Sequence, residues 1–131
     1  MEYPCRYGIG KKVALDFNQT VSKVVAMLEA KGFRIQFRVD MQEFLSREAC
    51  VDARPYVILG ACKPELARRA FAADPNIGLL LPCRVVVYEE EGGSRVMAMD
   101  PAWLMDLVRA PEVVEVAIAV KEEVEDLVER L

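Results

Sequence analysis

The spacing of apolar residues changes period along this chain, and each change marks an element. Lys11 to Leu15 is short, apolar-rich and partly alternating, which predicts a first strand. After Asp16 and Asn18 the spacing becomes helical, with Val21, Val24, Val25 and Leu28 on one stripe and Gly32 placed to end the helix. In FRIQFRVD the alternation is strict, so it predicts a strand with Phe33, Ile35, Phe37 and Val39 on the core and Arg34, Gln36 and Arg38 pointing away. Residues 41 to 49 read as a short helix carrying Met41, Phe44 and Leu45 inward, before Pro55 breaks the pattern.

Tyr56 to Ala61 is the next predicted strand. A helix from Pro64 to Ala73 follows, with Leu66, Ala67, Ala70 and Phe71 as its inner face, and Asp74-Pro75-Asn76 ends it. Leu79 to Tyr88 and Arg95 to Met99 read as strands joined by the glycine-containing loop EEEGGS, hence as antiparallel neighbours. Asp100-Pro101 opens a short helix and Pro111 a long one to the C-terminus. There Val113, Val116, Val120, Val124, Leu127 and Leu131 keep helical spacing opposite a solvated, glutamate-rich face. No repeat or linker-like stretch interrupts this order, so residues 1–131 read as one domain.

Composition then narrows the function. The formal charge is −4, which argues against a nucleic-acid binder, because phosphate contacts need a concentrated basic surface. No apolar run approaches the roughly 18 residues of a membrane span, and MEYPCRYGIGKK lacks the apolar core of a signal peptide. The expectation is a soluble, cytoplasmic chain. Cysteines at 5, 50, 62 and 83 then read as reduced thiols, with no C-x-x-C among them. There is no histidine, which removes Ser-His-Asp and Cys-His catalysis and the commonest transition-metal ligand together. Ser22, Ser46 and Ser94 lie in no G-x-S-x-G elbow. No cofactor or metal motif is present, and GIGKK runs into a strand where a phosphate loop requires a helix.

The remaining candidate chemistry centres on two thiols. In GACKPELARR, Cys62 stands just before a helix N-terminus, where a thiol pKa can fall, and Cys83 follows in LLLPCRVVVYEE. Cys62, Lys63, Cys83 and Arg84 form the candidate pocket or thiol site, with Lys63 and Arg84 as the adjacent cations. The competing reading makes both cysteines small buried residues, close together, shielded and inert, with Cys62 the more reactive. Arg34, Arg38 and Arg84 are expected to share the sheet face away from the helices. Asp52 and Arg54 read as a loop ion pair, Asp100 as a cap, and Trp103 and Met105 as core residues or the lining of an apolar pocket.

The segments VDARPYVILGAC, GACKPELARRAF and ADPNIGLLLPCRVVVYE, together with GKKVALDF and the MDP step, resemble the family known as domain of unknown function 302 over nearly the whole chain. The resemblance implies an α+β fold similar to the TATA-box-binding-protein-like class: a curved, mainly antiparallel sheet of about five strands with helices packed on one face. It also implies a homodimer and assigns no activity. Where the family usually has Asn before the proline of GACKP, this chain has Lys63, which cannot cap the helix in the same way. The function expected is a non-enzymatic, dimeric module that binds a small molecule or a protein partner. The alternatives are a thiol-based redox or sensor protein using Cys62 with Cys83, and a structural dimerisation domain.

Overall fold

The computed structural model describes residues 5–131, and Met1 to Pro4, the start of the N-terminus read above for a signal peptide, lie outside the described residues. The elements run β1 (Gly8–Val13), α1 (Phe17–Ala30), β2 (Arg34–Asp40), α2 (Met41–Glu48), β3 (Tyr56–Cys62), α3 (Pro64–Ala73), a 3₁₀ turn (Pro75–Leu79), β4 (Cys83–Glu90), β5 (Gly93–Met99), α4 (Ala102–Leu107) and α5 (Pro111–Arg130). The strands form one sheet in the order β1-β5-β4-β3-β2, antiparallel throughout. The fold is α+β, as expected.

Local chemistry accounts for most boundaries. The Asp16 carboxylate accepts from the Gln19 N–H and opens α1, and Asp40 does the same for α2 through the Glu43 N–H. Gly32 follows α1 at φ 91°, a conformation that costs glycine little. Asp100 accepts from the Ala102 N–H at 2.9 Å at the start of α4, the capping role read from the sequence. Gly92, at φ 82°, makes the tight turn between β4 and β5.

One face of the sheet carries the core. Val57, Leu59, Ala61, Val85, Val87, Val96 and Ala98 are buried against Val21, Val24 and Leu28 of α1 and the apolar stripe of α5. Burial alternates residue by residue along β4 and β5, which is the mark of a sheet covered on one side only. On α5, Val113, Val116, Val120, Val124 and Leu127 are buried as the periodicity predicts.

The structure corrects several expectations. β1 begins at Gly8, three residues before the predicted start, because edge pairing to β5 extends through the two glycines. β4 begins at Cys83 rather than Leu79, since the 3₁₀ turn and a cis Leu81-Pro82 peptide precede it, and Leu79 is almost fully exposed. α2 buries no residue, and Phe44 is exposed. Phe71 of α3 is also exposed.

The largest correction lies in β2. Ile35 pairs with Ala61 but Phe37 pairs with Gly60, so Gln36 is an extra, bulged residue. The bulge reverses the facing of everything after it. Phe37 and Val39 pair with Gly60 and Ile58 and therefore leave the core side, while Arg38 pairs with Leu59. The strict sequence alternation is real, but the strand does not keep a single phase.

Candidate functional site

Two regions carry the residues singled out in the sequence. The first is the end of β3 where α3 begins. Cys62, Lys63 and Cys83 line a cavity of about 20 Å³ with Phe33, Leu66 and Val120 among its walls. That volume accommodates one water molecule and no organic ligand. Cys83 lies across from Ala61, so the two cysteines are one step out of register on neighbouring strands, and the Cys62 thiol accepts a hydrogen bond from the Cys83 backbone N–H.

Neither thiol is activated. Burial raises the pKa of Cys62, and the hydrogen bond from Cys83 only partly offsets it. Burial pushes Cys83 up to about 12, with the neighbouring Cys62 adding to the rise. The cations that the sequence offered are turned elsewhere. Lys63 stands at the N-cap of α3 with no side-chain capping bond, its Nζ 3.4 Å from Glu123 of α5 and 5.5 Å from the centre of the Phe33 ring. Arg84 lies on the other side of the sheet, its guanidinium carbon 5.9 Å from the centre of the Phe37 ring. The four candidate residues therefore do not converge on one site.

The second region is the open sheet face. Reading across the strands by register, Phe37, Gly60, Arg84, Met99 and Gly8 form one row, and Val39, Ile58, Val86, Met97 and Gly10 the next. Beyond them stand Tyr56, Tyr88, Arg95 and Lys12, with the two tyrosine rings stacked at 5.3 Å. The central row is apolar from edge to edge.

Glycines make this face flat. A Cβ on Gly60 would lie 2.3 Å from the Phe37 ring, and one on Gly10 would lie 2.4 Å from the Met97 sulfur, so both side chains lie down over the missing Cβ atoms. Cys5 also lies close to Gly8 and Met97. The sequence signal for this face was present in the alternation of β3, β4 and β5. On that half only arginines stood out in the sequence, Arg84 among them, and not the apolar Ile58, Val86 and Met97.

Charge divides between the two sides. On the helical side, Lys31 of the loop after α1 pairs with Glu123 and Asp126 of α5, and Arg69 of α3 pairs with Glu115. On the open face, Arg95 pairs with Glu90 at 2.8 Å, whereas Arg34 and Arg84 have no ion pair among the described residues. Arg34 sits across from Cys62 and so shares that face with Arg84, while the bulge takes Arg38 off it. Arg54 pairs with Glu89 at 3.1 Å instead of Asp52, which still ties the start of β3 to β4. Trp103 is exposed rather than core, its Nε1 donating to the Arg6 carbonyl and so fastening the N-terminal segment. Lys11 and Lys12 of GIGKK donate to the carbonyls of Glu129 and Glu91.

Among the described residues there is no cluster of potential metal ligands, and no helix is long and apolar enough to cross a membrane. The profile of the family described as "Domain of unknown function DUF302" matches residues 9–131. The crystal structure of an uncharacterized conserved protein DUF302 from Bacillus stearothermophilus is similar at 25% identity and a TM-score of 0.86, covering 96% of this chain and 98% of that one. No curated protein matches the chain.

Proposed function

The chain belongs to the DUF302 family, and from that premise we propose that it is a non-enzymatic, homodimeric interaction module whose open sheet face is the subunit contact. The observation that carries this reading is the uncovered apolar row Val39, Ile58, Val86 and Met97, flattened by Gly60 and Gly10. Five strands at about 4.8 Å spacing and seven residues at about 3.3 Å give a face roughly 19 by 23 Å, a patch large enough to mark an interaction site. Flat, half-apolar sheet faces pack well on one another, and a twofold presents the same row to itself.

The small-ligand version finds little support beside Cys62 and Cys83, where the cavity is of single-water size. The thiol version is disfavoured by the upward shift of both thiols, which burial causes. Sedimentation at micromolar concentration tests the proposal. The native chain sediments as a dimer, and Val86→Arg, placing a charge in the middle of the row, sediments as a folded 14.7 kDa monomer. A native chain that is monomeric throughout, or a Val86→Arg variant that still dimerises, overturns it.

A further inference from the structure

We infer that α2 is the outer part of the same subunit contact, with its apolar stripe Met41, Phe44 and Leu45 closing on a second copy of the chain; the inference rests on the dimer reading above. The stripe keeps helical spacing, with Glu43, Ser46 and Arg47 at the polar positions between. A helix packed on the core would bury it. Here none of the three residues joins the core, and Phe44 is 47% exposed. The helix is nonetheless held in place. Asp40 caps it, the Val51 N–H donates to the Leu45 carbonyl and the Gln42 amide to the Ala53 carbonyl, and it packs against β3, the strand that carries Ile58. Eight residues make a helix too short to persist in water alone, so these contacts fix an apolar stripe that a single copy leaves unburied.

The stripe continues the open face. Val39, just before the Asp40 cap, is 39% exposed and belongs to the apolar row, and Val51, just after the helix, is 50% exposed. A helix rises only about 1.5 Å per residue, which keeps the Phe44 backbone within about 10 Å of Val39. Area then says what covers it. The sheet face, flattened by its glycines, presents little more than its outline of roughly 440 Å², whereas a stable subunit contact takes about 800 Å² from each partner. The sheet alone falls well short. α2 and Val51 extend it at the β2 edge, and a twofold supplies the same extension from the other copy. A lipid surface suits the helix less well, because helices that lie among headgroups carry a basic polar face, and here Asp40, Glu43 and Glu48 stand against Arg47 alone.

Sedimentation of the native chain, Phe44→Gln and Val51→Thr across protein concentration tests this. Phe44→Gln weakens the dimer at least about tenfold, and Val51→Thr weakens it by a smaller factor of about three. In the monomeric Val86→Arg background, Phe44→Gln leaves the urea midpoint unchanged, because a single copy does not bury that side chain. A dimer that Phe44→Gln leaves as tight as native overturns the role of α2 and leaves the dimer standing. A lowered urea midpoint in the Val86→Arg background makes the stripe part of the fold and overturns that role as well. Flotation of the native chain, but not of Phe44→Gln, with vesicles of phosphatidylcholine and phosphatidylglycerol, the dimer being unchanged, gives α2 to lipid and overturns it too. A native chain monomeric at every concentration overturns the dimer reading and the part of α2 in it together.

Discussion

Val86 and Val87 are neighbours on one strand, yet Val87 is fully buried beneath the helices and Val86 lies half-exposed on the other side of the sheet. The two faces of this sheet are built from the same strands with similar apolar content. What separates them is their companions. The covered face meets α1 and α5, and beside that layer Lys31 pairs with Glu123 and Asp126 and Arg69 with Glu115. The open face has its tall side chains laid flat on glycines and leaves Arg34 and Arg84 unmatched among the described residues. A sheet whose alternation continues in apolar residues on both sides is prepared for a partner on the second side as well as a core on the first.

The sharpest break of this comparison is a deletion. Removing Ile58 from β3 shifts half of an unbulged central strand by one residue and sends its buried set to the open face, so the variant does not fold. Removing Gln36 from β2 takes out only the bulged residue and leaves Ile35 inward and Phe37 outward, so it folds with stability within about 1 kcal/mol of native. Circular dichroism and urea denaturation of the two variants check the pair. Loss of folding on removing Gln36 would mean that the bulge itself is required.

Next in size is a truncation on each face, best compared in the monomeric Val86→Arg background. Leu59→Ala empties a fully buried position and lowers stability by about 3 kcal/mol, whereas Ile58→Ala lowers it by about 1 kcal/mol or less. Equal losses by denaturant titration would mean that the two faces are equally buried.

Much of this arrangement was legible beforehand. The five strands, the helices and the antiparallel hairpin follow from periodicity and from glycine and aspartate signals, and the resemblance fixed the family. The facing of Phe37, Val39 and Arg38 was not, because a bulge adds a residue without disturbing the sequence alternation, and only the partner strand shows the slip. Nor was the dispersal of Cys62, Lys63, Cys83 and Arg84. Adjacency in sequence across a strand end says little about which side a side chain takes, and Lys63 was claimed by Glu123, 60 residues away. Long-range charge pairing of that kind leaves no local trace.

The pH dependence separates the two sides by charge. Hydrogen bonding from Lys31 holds the carboxyls of Glu123 and Asp126 below their usual range. A depressed carboxylate stabilises the fold above its unfolded-state pKa of about 4 and loses that contribution as pH falls through the lower folded value. Lys31→Met therefore flattens the loss of stability below about pH 5, while Arg34→Met leaves that limb unchanged. Identical acid limbs for the native chain and Lys31→Met would sink the assignment.

The smallest expected effect is at Lys63, where two contributions oppose each other. Lys63→Asn introduces a side-chain acceptor at the unbonded N-cap of α3, which by itself is worth about 0.5 to 1 kcal/mol. The same change removes the half-buried pair with Glu123 and the contact over Phe33. A partly exposed pair contributes up to about 1 kcal/mol and a cation over an aromatic ring a comparable amount. The sum lies within about 0.5 kcal/mol of zero, so the cap residue that suits the helix in isolation gives no gain in this fold. A double-mutant cycle with Glu123→Gln separates the two parts. With Glu123 already neutral, Lys63→Asn becomes more favourable than in the native chain, because the cap gain then opposes only the loss of the contact over Phe33. An equal effect in both backgrounds would mean that the ion pair with Glu123 is not what masks the cap.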